Sequence, residues 1–230
     1  MEKMEIELSM VIDDSLRVIE SFQPDDDYKD FLGNPEHFTI EIYIRNDSEV
    51  VGYLICTIFC DDIIEDNGKD LVTVADDDTT QDNYEAMEVL RERREQRSSG
   101  EVDPYLFLLR PSTVYIQNMA VKNDYRGRGI GNWLLRNLPQ IVTERYNRDL
   151  VTIVIKLFPE EIDWETTPPQ FESFRSEPVK ADESLSYWSD EIDVYDESDP
   201  MFIKMKRLLE NNGYSRYGNT LYFFKDFFWK

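Results

Sequence analysis

The stretch with the clearest chemistry is Ile116–Asn132, IQNMAVKNDYRGRGIGN. It packs Arg126, Gly127, Arg128, Gly129, Ile130 and Gly131 into six residues. An apolar, β-branched run precedes it and an apolar-periodic run follows, so a strand, a glycine turn and a helix are predicted in that order. The amides of such a turn and of the first helical residues have no intrahelical partners. They converge on one concavity, and the helix dipole makes it positive. Glycine lets a ligand approach the main chain closely. Arg126 and Arg128 add full charges. The chemistry expected is pyrophosphate binding.

The spacing narrows the ligand. A dinucleotide fold wants G-x-G-x-x-G after its first strand. Here the spacing is G-x-G-x-G, more than a hundred residues into the chain. A nucleoside-triphosphate loop wants G-x-x-x-x-G-K-[ST], and the sequence has none. His37 is the only histidine, which excludes a zinc site with two histidines from one chain. The acidic runs Asp61-Asp62, Asp76-Asp77-Asp78 and Glu160-Glu161 lack calcium-loop spacing and read as solvated faces, so no metal site is expected. Cys56 and Cys60 lie four residues apart in an apolar run. On a strand they share a face beyond disulfide reach, and they read as inert core thiols.

The positioning elements follow from hydrophobic period. Met4–Ile12 alternates and is predicted to be a strand. Asp13 or Asp14 is placed to cap a helix carrying Leu16, Val18, Ile19 and Phe22. Asp25–Asp30 is an acidic loop. His37–Arg45 and Val50–Phe59 form a hairpin about Asn46-Asp47-Ser48. Val114–Val121 and Leu150–Phe158 are strands, the second apolar enough to be buried on both faces. Asn132–Asn147 is a helix containing Pro139, where a kink is expected. Phe202–Asn211 is a helix closed by Asn212-Gly213. Tyr214–Tyr217 and Thr220–Lys225 form a last hairpin. Residues 61–104 and 159–200 interrupt this pattern. The first interruption is predicted to contain one helix, Tyr84–Gln96. The second is rich in proline, acid and aromatics, and suits a lid-like or partner-facing segment.

The charge is distributed accordingly. The 230 residues carry 48 Asp and Glu against 25 Lys and Arg, a net of −23. The two interruptions hold −22 of this, and the other 144 residues are nearly neutral. Residues 105–158 are net positive, with 8 bases against 3 acids, and contain the glycine turn. Such a chain is repelled by bare phosphate backbones and anionic membranes, so no nucleic-acid or membrane partner is expected. Cationic partners are. Hydrophobic residues at 41% suffice for a packed core. The first ten residues hold no signal-peptide stretch, and no run reaches the ~18 apolar residues of a membrane span. A single cytoplasmic domain over 1–230 is expected, with a homodimer left open.

The glycine stretch resembles the main motif of the GNAT acetyltransferase superfamily, [RQ]-x-x-G-x-[GA] after a strand ending in a small apolar pair. Here these are Met119-Ala120-Val121, then Arg126-x-x-Gly129-x-Gly131. Val51-Gly52-Tyr53 in the third strand and the Gly213-Tyr214 step before the final hairpin also fit. The resemblance covers about 144 residues and implies an α/β (α+β) fold. It implies a mixed, mostly antiparallel sheet of about seven strands, parted between the fourth and fifth, with helices on both faces. Acetyl-CoA is the implied co-substrate. The strand would bulge near Met119–Val121. Backbone groups of Met119 and Val121 would pair with pantetheine. The amides of Arg126, Gly127, Arg128, Gly129, Ile130, Gly131 and Asn132 would wrap the pyrophosphate. Lys122, Arg126 or Arg128 would reach the remaining phosphate.

The resemblance implies N-acetyl transfer to a primary amine by direct attack, on a cationic small molecule or a basic protein. Two departures bear on mechanism. The family's usual acid is a tyrosine four residues before the glycine of the last helix, and here that position is Leu209. Some members use a glutamate base on the fourth strand, where this chain has Tyr115, with Gln117 two residues on. Tyr115 and Gln117 are therefore the candidate catalytic residues, with strand packing as the plainer role for Tyr115. A GNAT scaffold used as a module that binds a basic protein is the second reading. An acidic nucleic-acid mimic is the third.

Overall fold

The structure is a computed structural model. It describes residues 4–13, 16–22, 35–47, 49–78, 81–97, 110–157 and 200–227. Eight strands form one sheet in the order β1-β2-β3-β4-β5-β6-β8-β7. They are β1 (Met4–Asp13), β2 (Leu16–Phe22), β3 (His37–Asn46), β4 (Glu49–Cys60), β5 (Pro111–Val121), β6 (Asp149–Lys156), β7 (Ser215–Arg216) and β8 (Tyr222–Asp226). Five helices accompany them: α1 (Asp61–Asp66), α2 (Leu71–Asp78), α3 (Gln81–Arg97), α4 (Ile130–Tyr146) and α5 (Pro200–Asn211). Only β5 and β6 run parallel; every other neighbouring pair is antiparallel.

The predicted β3–β4 hairpin, the strand–turn–helix of β5 and α4, and the final hairpin are all present. Gly213 takes a φ of 83°, and the Tyr214 amide bonds the Leu209 carbonyl at 3.1 Å, which ends α5 as expected. α4 is one continuous helix through Pro139.

Two expectations are corrected. The segment after Asp13 is a strand, not a helix, and it brings the sheet to eight strands rather than about seven. Leu16 and Val18 are both buried, a spacing of two, and β2 pairs with β1 and with β3. Leu16, Val18, Ile19 and Phe22 fit either period, so strand pairing decides the outcome. The second correction concerns residues 61–104. Their described part holds three helices rather than one. The predicted acidic loop Asp25–Asp30, loop 98–103 and the interruption 159–199 lie outside the described residues.

The faces of the sheet carry separate cores. Ile42, Leu54, Cys56, Val114, Ile116, Ile153, Ile155 and Phe223 pack under α4 and α5. Phe59, Tyr115, Val154, Tyr222 and Phe224 pack under α1, α2 and α3, against Ile64, Val74, Ala86, Met87 and Leu90. The first interruption is therefore a layer of the fold, and burying this apolar surface drives its docking.

The layer is also pinned by ions. Asp61 is buried and accepts from the Thr113 amide at 3.0 Å and the Thr113 hydroxyl at 2.9 Å. Asp62 pairs with the buried Arg148, which also donates to Ser112 Oγ at 2.6 Å and the Pro111 carbonyl at 2.9 Å. Arg93 of α3 makes two bonds to Asp226 of β8, at 2.9 and 2.5 Å. Asp61 and Asp62 are thus structural anchors, not the solvated acids their sequence suggests.

Cys56 and Cys60 are buried free thiols, and burial pushes the Cys60 thiol up to about 12. At Gly52 a Cβ would come within 2.9 Å of Ile130 Cγ2, so the glycine lets the first turn of α4 rest on β4. Gly52→Ala is expected to cost about 1–3 kcal/mol, read as a lowered urea midpoint with an unchanged slope.

Candidate functional site

The glycine turn is built as its composition requires. Asn123–Tyr125 form one 3-10 turn after β5. Gly127 and Gly129 have φ of 81° and 86°, values that L side chains rarely adopt. A Cβ at either would meet nothing within 4 Å, so the turn borders open space. Gly129 caps α4, and the Trp133 amide is bonded to the Gly129 carbonyl at 2.8 Å. The amides of Ile130, Gly131 and Asn132 consequently have no intrahelical acceptor. They start a 17-residue helix, so the dipole's positive end lies there. At Gly131 a Cβ would touch Leu208 Cδ2 at 3.4 Å, which brings α5 alongside this opening.

The nearby cations are disposed unequally. Lys122 bonds Glu49 at 2.6 Å and, chiefly through that bond, holds the Glu49 carboxyl below its usual range. Tyr125 receives the Asn46 amide at 2.7 Å, and the Arg128 guanidinium lies over its ring at 5.2 Å. Arg126 Nε donates to the Val121 carbonyl at 3.0 Å. Arg126 and Arg128 are exposed beside the turn.

The strands part where a ligand arm would enter. Parallel pairing of β5 with β6 runs from Pro111↔Asp149 to Ile116↔Ile155 and ends there. Asn118–Val121 continue along β4 alone. The Lys122 amide bonds the Val51 carbonyl of β4 at 3.0 Å. Backbone groups alternate in direction along a strand, so those of Val121 and Met119 face away from β4, into the parting. The strand does bulge, but at Gln117. Ile55 pairs Asn118 and Cys56 pairs Ile116, leaving Gln117 as the extra residue instead of one within Met119–Val121.

The two candidate catalytic residues separate. Tyr115 has 0% exposure and is packed in the core beneath α1–α3, so its hydroxyl is sealed from solvent. Gln117 is half-buried at the bulge, beside the parting. Leu209 and Tyr214 are both buried in the first core, where burial pushes the Tyr214 hydroxyl up.

Residues missed at the sequence level stand across the opening. Lys156, the last residue of β6, is buried and donates to Glu85 Oε2 of α3 at 3.3 Å. The Tyr222 hydroxyl donates to the same oxygen at 3.4 Å. No local signal links them, because Glu85 lies 71 residues from Lys156 and 137 from Tyr222. Among the described residues, no helix is long and apolar enough to cross a membrane.

The Acetyltransferase (GNAT) family is matched over residues 8–157, which contain the parting, the glycine turn and α4. No curated protein matches the chain.

Proposed function

The chain belongs to the GNAT acetyltransferase family, and from that premise we propose that it transfers the acetyl group of acetyl-CoA to a primary amine on a cationic small molecule or a basic protein. The observation that carries this reading is the pair of positive-φ glycines opening the free amides of α4 beside a parted β5–β6 edge. The chain's groups suit the pyrophosphate and the pantetheine arm of acetyl-CoA. The amides of Ile130, Gly131 and Asn132 would hold the pyrophosphate through the dipole end of α4. Arg126 and Arg128 supply countercharge. The backbone of Met119 and Val121 takes the pantetheine amides as a strand partner would. If pantetheine took the Val121 carbonyl, the Arg126 guanidinium that now donates to it would be released toward a phosphate.

When bound, acetyl-CoA supplies a thioester carbonyl open to amine attack. An alkyl amine has a pKa near ~10 and must lose a proton before it attacks. Positioning supplies much of the rate. Gln117 sits where the strands separate, and its side-chain amide orients the amine or a water without taking a full proton. No tyrosine stands at position 209 and Tyr115 is sealed, so proton removal falls to solvent or to a residue outside Tyr115 and Leu209.

Thiol release from acetyl-CoA against a panel of polyamines, aminoglycosides and basic peptides tests the reading. Amine-dependent release above the rate with water is expected, and it should fall with Gly131→Glu. Acetyl-CoA binding without turnover on any amine contradicts it. That result favours the second reading, a GNAT scaffold that binds a basic protein, which the apolar Leu209 supports.

A further inference from the structure

We propose that Glu85 is the carboxylate that receives the acceptor's ammonium group, held in position by Lys156 and Tyr222. The proposal deepens the function above and rests on it.

Four observations place it. Pairing of β5 with β6 ends at Ile116↔Ile155, so Gln117 and Lys156 are the next residues on the two sides of the opening. Lys156 pairs across to Tyr222 on β8. Tyr222 and Val154 belong to the core under α3, with Ala86 and Met87, the residues after Glu85. Glu85 therefore meets the parting from the α3 face. The amides at the start of α4 meet it from the other face, where Ile116 and Ile155 pack with Ile130 and Leu134. A cofactor and an amine approaching from these two faces do not compete for space.

The bonding pattern fixes the role. The Lys156 ammonium and the Tyr222 hydroxyl both donate to Oε2. Among the described residues Oε1 has no hydrogen-bond partner. The Lys156 side chain is 5% exposed, whereas that of Glu85 is 38% exposed. One oxygen is thus tied to buried groups, while the Glu85 side chain as a whole reaches solvent. Burying an ammonium such as that of Lys156 carries a desolvation cost that an apolar residue would avoid. That cost has a use if it orients a carboxylate, because a fixed acceptor loses less entropy on binding. A carboxylate oxygen of this kind suits an N–H donor of a cation. The ligand class is a primary alkylammonium, and Glu85 is a positioning residue rather than the proton acceptor.

The test uses the full chain saturated with CoA and titrated calorimetrically with spermidine. Glu85→Gln keeps the size and an acceptor oxygen for Lys156, and it removes the charge. It is expected to weaken spermidine by roughly tenfold or more. Affinity for CoA should stay as in the wild type, and the melting temperature should fall by only a few degrees, because the buried Lys156 ammonium loses the Glu85 charge but keeps an acceptor oxygen. Glu85→Asp keeps the charge and should retain part of the affinity. In turnover, Glu85→Gln should raise the KM for spermidine far more than it lowers kcat. Equal spermidine affinity in wild type and Glu85→Gln overturns the proposal, as does a CoA-loaded wild type that binds no spermidine. Failure of the wild type to bind CoA instead overturns the function on which the proposal rests.

Discussion

Gly131→Glu is expected to abolish acetyl-CoA binding while leaving the protein folded. Gly131 sits in the first turn of α4, where an acidic side chain favours the helix dipole rather than opposing it. Its φ is not in the positive range, and the Cβ would meet Leu208 Cδ2 at 3.4 Å, an ordinary contact distance. The fold therefore loses little. The ligand should lose much, because a carboxylate would occupy the concavity proposed for the pyrophosphate. Like charges brought together at a binding surface cost several kcal/mol, so a loss of more than about a hundredfold in affinity is expected. Calorimetry and a melting curve on the same preparation check both halves. Weak binding with a collapsed melting temperature would attribute the loss to folding instead.

Arg93→Met is expected to give the largest loss of stability. Arg93 and Asp226 face each other with side chains 6% and 9% exposed. The guanidinium also lies 4.5 Å over the Phe224 ring. Without Arg93, the Asp226 carboxylate keeps the Thr152 hydroxyl at 2.9 Å but loses the guanidinium's charge and two hydrogen bonds. Breaking a buried pair from one side typically costs about 3–5 kcal/mol. The urea midpoint should fall accordingly. The double replacement Arg93→Met with Asp226→Leu should recover most of the loss, because no buried charge then remains uncompensated. A single replacement within a few tenths of a kcal/mol of wild type would show that the pair does not anchor α3.

The half of the proposed site built on the glycine turn was legible because it is local. Strand, turn and helix follow one another within Val114–Tyr146, and Gly127 and Gly129 answer a backbone requirement expressed within a few residues. The other half depends on distant pairing. Asp61 reaches Thr113 across 52 residues and Asp62 reaches Arg148 across 86. In sequence these acids stand among other acids and read as solvated. Their partners, Thr113 on β5 and Arg148 between α4 and β6, are brought near only by folding. Glu85 is hidden in the same way, on a helix whose exposed charges are ordinary for its type. The segment Leu16–Phe22 shows a different limit, since its apolar residues satisfy both periods and only pairing with β1 and β3 selects the strand. The bulge at Gln117 is a matter of register between β4 and β5, which alternation within one strand does not report.

The free amides of α4 and the parted edge of β5 are proposed to form one site for acetyl-CoA. The most direct test is a calorimetric titration of the wild-type chain with acetyl-CoA, repeated with Gly131→Glu. Saturable binding of one molecule per chain is expected, with a Kd on the order of 1 μM to 1 mM, the span of common enzyme KM values. No detectable binding is expected in the variant. No saturable heat in the wild type, or equal affinity in the two proteins, would contradict the proposed site.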